Sequence, residues 1–356
     1  MANTNALGIA IRCDMKKILI IKYGALGDVV RTGYFLEPLY LKHSKPEIYW
    51  LTHPNSIPLL QFNPYVFCLT STPEDFFDIA FDWVISLDDE YEILLHAMKM
   101  NCKKFTGAFL EEHLQTYTND SKLWFDMGKI SQFGPEKADQ LKKENKLTHT
   151  AIFSRILGIQ ISRPLFFGSS VINTLIGDQM SSEFFRIGIN SGSGGRWESK
   201  RLPIPETIDL IIRLLKYSIM GKNVFIELLG GVDEQERNFK IKDTFKSNNL
   251  VRVFESSDSI LHFSALVSNC NYIITSDSLA MHLAIAQSVP NLTFFAPTSA
   301  VEIDTFGTGV KVVSTSPEYC NYKSDSDNSS ITADRIFGTF IHHLSLLKLP
   351  CVKKFC

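Results

Sequence analysis

Residues 272–297, YIITSDSLAMHLAIAQSVPNLTFFAP, read as a buried strand, a polar turn, a short helix and a second buried strand. This is a βαβ unit with almost no spare residues. Asp277 and Ser278 fall where the strand ends and the helix begins, so unpaired amides and the positive end of a helix dipole face whatever lies above the sheet. That is a place for an anionic ligand. A Ser-Asp-Ser before a helix is also an ordinary N-cap, and His282, inside the helix, also reads as a satisfied core histidine. A second strand, polar turn and helix near the N-terminus favours a site over both local readings.

That second unit begins with Lys17 to Lys22, KILIIK, a strand buried on both faces. Tyr23-Gly24-Ala25-Leu26-Gly27-Asp28 then turns the chain into the helix VVRTGYFLEPLYLKH. Asp28 falls at the carboxyl end of the strand, where open α/β sheets bind ligands, although a helix-dipole carboxylate is its equal local reading. The pattern GxxGD is not the dinucleotide fingerprint GxGxxG. The next strand, 48–51, ends in Thr52 and His53 with no acid to hold a ribose, which disfavours a nicotinamide dehydrogenase.

A chain of 356 residues with 45% hydrophobic and 21% charged residues fits two globular domains. Lys plus Arg number 36 against 38 Asp plus Glu, without a long basic run, so nucleic acid is not an expected partner. Seven scattered cysteines, an odd count, argue for a reducing compartment. Cys320, Cys351 and Cys356 cluster near the C-terminus but form no CxxC pair, so a metal site there is disfavoured. No apolar run fits a secretory segment or a membrane span, giving a soluble, cytoplasmic expectation. Peripheral contact with the cytoplasmic face of the inner membrane stays open.

Short β/α alternation to about residue 109 predicts a doubly wound, mainly parallel sheet. Residues 110–145 break the rhythm and read as an insertion plus helix on the domain rim, with Lys137, Lys142, Lys143 and Lys146 as available cations. Residues 1–168 form the expected first domain, 164–182 carry the interdomain connection, and 183–356 form the second domain. The latter opens with RIGIN and the loop Ser191-Gly192-Ser193-Gly194-Gly195-Arg196. A strand running into such a loop exposes amides that cradle phosphate, and Arg196, Lys200 and Arg201 add cations suited to a diphosphate. Gly230-Gly231 precedes Asp233, Glu234 and Glu236, which read either as dipole-stabilising acids or as a ribose contact. Residues 314–330 read as polar and flexible, and 331–347 as a final amphipathic helix, with a return onto the first domain as one option.

The blocks KILIIKYGALGDVV, IGINSGSGGRWESKRLP, ELLGGVDEQER and ITSDSLAMHLAIAQSVPNLTFFAPTS, in that order over about residues 15 to 345, resemble the ADP-heptose glycosyltransferases of glycosyltransferase family nine. The resemblance implies an α/β GT-B fold, two Rossmann-like domains facing across a cleft. The second domain would hold the nucleotide sugar. It implies Asp28 as general base, Lys200 on the donor diphosphate, Asp277 and His282 lining the nucleotide pocket, and Glu234 or Glu236 at the ribose. Arg196, Ser193 to Gly195 and Ser278 join the donor side, and Gly27 and Arg31 the acceptor side. One departure is Leu279, where the family commonly has glycine.

The expected reaction is inverting transfer of heptose from ADP-heptose to a sugar hydroxyl of a lipopolysaccharide core or related glycan, without a metal or other cofactor. A UDP-sugar donor or a protein acceptor, and a non-catalytic sugar-nucleotide binding protein, are the alternatives.

Overall fold

The computed structural model describes residues 15–167, 183–195, 197–254 and 259–354. Most of the expected interdomain connection (168–182), Arg196 and Cys356 lie outside these residues.

Apolar runs flanked by polar turns become strands buried on both faces. β1 (Lys17–Ile21), β2 (Glu47–Leu51), β3 (Cys68–Thr70), β4 (Ala80–Ser86), β5 (Asn101–Glu111) and β6 (Leu114–Tyr117) form one sheet in the order β3-β2-β1-β4-β5-β6. Only β5 with β6 is antiparallel. The second sheet contains β7 (Phe184–Asn190), β8 (Tyr217–Ile219), β9 (Lys222–Leu228), β10 (Val251–Val253), β11 (Tyr272–Ser276), β12 (Asn291–Phe295), β13 (Gly309–Val313) and β14 (Cys351–Lys353). Its order is β13-β12-β11-β7-β9-β8-β14, with β10 also on β9. In each sheet the first strand is central, with β1 between β2 and β4 and β7 between β9 and β11. The strand order reverses there, and a crevice opens at the carboxyl ends.

The helices that follow are α1 (Leu26–Thr32), α2 (Leu36–Lys42), α3 (Ile57–Leu60), α4 (Tyr91–Ala97), α5 (Lys122–Phe125), α6 (Pro135–Glu144) and α7 (His149–Leu157) in the first half. The second half has α8 (Ile204–Leu215), α9 (Val232–Asp243), α10 (Ile260–Ser268), α11 (Leu279–Ala286) and α12 (Ala333–Leu346).

The two halves share one apolar core. Ile18, Val29, Phe35 and Trp50 of the first join Ile273, Leu283 and Ala284 of the second in a single buried cluster. Each fully buried Ile or Leu there contributes about 2 kcal/mol. The seam is α1 against α11. A Cβ at Gly27 would stand 2.3 Å from Cδ2 of His282, so glycine is what allows this approach. Polar ties flank the seam: the His149 amide donates to the Glu302 carbonyl at 2.8 Å, and the Thr150 hydroxyl to the Asp304 carboxylate at 2.6 Å.

Several elements differ from the sequence reading. The long helix after β1 is α1, a tight 3-10 turn at Gly33–Phe35, then α2. Pro38 lacks the amide needed to continue the ladder back to Tyr34, which accounts for the interruption. Part of the 110–145 insertion is the β5–β6 hairpin. Its turn residues Glu112 and His113 have φ of 49° and 68°, a left-handed pair usually signalled by Asn-Gly and invisible in Glu-His. The final helix packs Ile336, Phe340 and Leu344 into the core of its own sheet, not onto the first domain.

Residues 314–330 are pinned rather than loose. Ser314 and Ser330 share a hydroxyl bond of 2.8 Å, and the Tyr322 amide donates to the Pro297 carbonyl at 2.8 Å.

Candidate active site

Turns at the carboxyl ends of β1, β7, β9 and β11 line one cleft of about 1020 Å³ between the two halves. Asp28, in the first turn of α1, faces it from the first half. Its Oδ1 pairs with Nη2 of Arg31 at 2.8 Å. Burial pushes the Asp28 carboxyl up, but Arg31, Lys22 and His282 outweigh it and hold the group below the usual carboxylate range. An ionised base therefore stands in the cleft at neutral pH.

The turn carrying Asp28 is braced from the segment that follows β4. The carboxylate of Asp88 accepts from Lys22 Nζ at 2.6 Å, from the Gly24 amide at 3.1 Å and from the Tyr23 amide. Three donors on one carboxylate fix the strand-to-helix geometry. Sequence reasoning missed Asp88 because its partners lie more than sixty positions away.

On the opposite wall the alternative local reading of Asp277, an N-cap of α11, does not hold. Ser278 is the N-cap residue, and no side chain caps the helix. The Asp277 Oδ2 instead accepts from Lys200 Nζ at 2.9 Å and from the Thr298 hydroxyl at 2.7 Å. Burial raises its carboxyl, but Lys200, His282 and the Thr298 bond prevail and bring it to about 2. Lys200 ends the short 3-10 turn Glu198–Lys200, which the C-terminal polar segment clamps. The Ser199 amide donates to the Ser324 carbonyl at 2.9 Å, and Asn328 Nδ2 donates to the carbonyls of Ser199 (3.1 Å) and Arg201 (2.8 Å). A segment read as loose thus aims the ammonium.

His282 sits between the two carboxylates at the seam. Burial first, then the nearby Arg31, lower its pKa to about 4, against the pull of Asp277 and Asp28. Its imidazole is neutral at pH 7 and serves as a packed polar spacer rather than a cation.

The glycine loop departs from expectation. Gly194, with φ of 76°, donates its amide to Glu234 Oε1 at 2.7 Å, and the Gly195 amide donates to Asp233 Oδ2 at 2.8 Å. Both amides are thus taken by acids, and Gly194, Asp233 and Glu234 all line the cleft. Glu234 also accepts from the Gly231 amide at 2.9 Å, so the N3 side chain caps the start of α9. Glu236 is corrected as a ribose candidate. Its side chain is 82% exposed and pairs with Lys240 at 2.6 Å, outside the cleft.

Ser193, Ser278, Gly27 and Arg31 do line the cleft. So do groups that sequence reasoning did not select. Phe254, Ile260, Phe263 and Leu279 give it apolar lining from the second half, and Trp124, Glu302 and Tyr322 line it as well. Phe254 and Ile260 frame the end of β10 and the start of α10, the one positional signal that pointed to them. Among the described residues, no group of three or more His, Cys, Asp or Glu side chains is disposed to hold a metal ion. Cys320 is buried and Cys351 half-buried, both as free thiols.

Residues 222–331, which contain the acidic turn, the Asp277 turn and the clamping segment, match glycosyltransferase family 9 (heptosyltransferase). The match spans about a third of the chain, within its second half. The match supports a glycosyltransferase. Solved structures extend the likeness to the whole fold. The family 9 glycosyl transferase of Veillonella parvula DSM 2008 superposes with a TM-score of 0.67 at 17% identity, over 93% of this chain and 98% of that one. Escherichia coli heptosyltransferase WaaC with ADP gives 0.63 at 15% identity, over 92% and 99%. Escherichia coli ADP-heptose LPS heptosyltransferase II gives 0.63 at 16%, over 93% and 99%. The chain therefore has the GT-B fold. No curated protein matches it by sequence. Among the described residues no helix is long and apolar enough to cross a membrane.

Proposed function

We propose that this chain transfers heptose from ADP-heptose, with inversion, to a sugar hydroxyl of a lipopolysaccharide core or related surface glycan. The observation that carries the reading is the opposition of Asp28 to the Lys200–Asp277 pair across one cleft, with His282 between them. An acceptor hydroxyl oxygen attacks the anomeric carbon while its proton passes to the Asp28 carboxylate. The bond from that carbon to the diphosphate oxygen breaks, and its electron pair leaves on ADP. Lys200 meets the charge that grows there, exchanging part of its contact with Asp277 for phosphate oxygens.

The ammonium supplies positive charge at the leaving group without a metal, so the reaction is expected to run in a chelator. Arg31 keeps Asp28 ionised and oriented. The apolar wall of Phe254, Ile260, Phe263 and Leu279 suits the flat faces of a purine, with Glu234 rather than Glu236 close enough to meet a ribose. Leu279 extends this wall where the family commonly places glycine, which favours base packing over another amide on phosphate.

Calorimetric titration with ADP and with UDP, each with and without magnesium, tests the donor assignment. ADP is expected to bind at least about tenfold more tightly than UDP, a gap of about 1.4 kcal/mol, with no requirement for the metal. Preference for UDP would move the donor, and binding of neither would favour a chain that keeps the fold without turnover.

A further inference from the structure

We propose that the acceptor is an uncharged sugar held through its hydroxyls, and that Glu302 is the residue that selects it. The proposal rests on the transferase reading above and narrows its acceptor to one chemical class. Besides the groups already placed on the donor side, the cleft is lined by four carboxylates, Asp28, Asp89, Asp139 and Glu302, and three cations, Arg31, Lys129 and Lys142.

The cations are largely committed. Arg31 is paired with Asp28 at 2.8 Å, and Lys142 Nζ stands 3.9 Å from the ring centre of Tyr322. Lys129 is exposed at the rim. Glu302 differs from the rim acids. It is 5% exposed, lines the cleft, and among the described residues its carboxylate accepts one side-chain hydrogen bond, from the Tyr322 hydroxyl at 3.3 Å. Its backbone carbonyl takes the His149 amide across the seam, which fixes the position of the side chain.

A phosphate or carboxylate on the acceptor would have to sit beside Asp28 and Glu302 in a poorly solvated cleft, where like charges repel strongly. A hydroxyl has no such conflict, because it donates its hydrogen to either carboxylate and offers its oxygen to a donor. Beside it, Arg31 Nε is buried and has no hydrogen-bond partner among the described residues. Trp124, Phe125 and Met127 supply apolar lining for the C–H faces of a sugar ring. Burial raises the Glu302 carboxyl above its usual range even with Lys142 and Arg31 nearby, so the site already holds negative charge reluctantly.

The test pairs methyl glycosides of neutral hexoses and heptoses with the same glycosides bearing a phosphate. Transfer from ADP-heptose is measured for each, and ADP binding is measured in parallel. Neutral probes are expected to be turned over, with kcat/KM for their phosphorylated partners lower by about tenfold or more. The near-isosteric Glu302→Gln is expected to raise the acceptor KM about tenfold while kcat and ADP affinity stay within about twofold. Glu302→Lys is expected to reverse the order of the paired probes.

Transfer confined to phosphorylated probes, transfer to neither set while ADP binds, or an unchanged acceptor KM in Glu302→Gln would each overturn the proposal. Failure of the wild-type chain to bind ADP would instead remove the transferase reading, and the proposal with it.

Discussion

Asp28→Asn is expected to lower kcat about a thousandfold while leaving ADP affinity within about twofold of the unaltered protein, because the amide keeps the shape of the carboxylate but takes no proton. The loss should appear in kcat and kcat/KM together, the signature of an interaction made in the transition state. The ion pair to Arg31 spans one helical turn, and the Asp28 side chain is 34% exposed. Its removal should therefore cost under about 1 kcal/mol of stability.

The pH profile follows from the charges around Asp28. Its carboxyl lies below the ordinary carboxylate range, so the base form is complete at neutral pH. Activity should stay flat on acidification until below that range, then fall as the carboxylate protonates. Steady-state kinetics on the variant and its parent check both statements, and a variant with unchanged kcat would remove Asp28 from the chemistry.

Lys200→Ala is expected to have the second large effect, and through two separable routes. The ammonium lost from the leaving-group side should reduce kcat/KM about a hundredfold to a thousandfold. Asp277, with its side chain only 15% exposed, would keep Thr298 but lose its counter-charge, at a cost of about 3 kcal/mol in stability. The native Asp277 carboxyl is depressed to about 2 from an ordinary 3.8. Its stabilisation is complete above the unfolded value and is lost as pH falls toward 2.

Adding Asp277→Asn to Lys200→Ala should return most of the lost stability, since no buried charge is left unpaired, without returning activity. Thermal unfolding and ADP titration of the single and double variants separate the routes. Full ADP affinity in Lys200→Ala would contradict the assignment of this lysine to the diphosphate.

Asp28, Lys200, Asp277 and His282 were legible because each follows a buried strand, a glycine-containing turn or a short helix start, where spacing alone locates the carboxyl edge of a sheet. Their partners were not. Asp88 joins the Asp28 turn from beyond the end of a distant strand, and Thr298, Glu302 and Tyr322 reach the cleft from segments without a local pattern. Glu234 and Glu236 are two positions apart on α9, so they point to opposite sides of a helix with about 3.6 residues per turn. The sequence did not say which side faced the glycine loop.

That loop was readable as a turn, but the two acids that bind its amides were not readable as its partners. The same limit affected the fold. Long apolar runs identified the central strands, whereas the three-residue strands β8 and β14 carry too few positions to show any period.

The most direct measurement of the central claim is a proton NMR time course of ADP-heptose with the purified chain, a mixed pool of neutral glycosides and EDTA. The account predicts release of ADP matched by a new glycosidic anomeric signal of configuration opposite to that of the donor. A product that retains the donor's configuration, or a donor signal that persists unchanged, would contradict it.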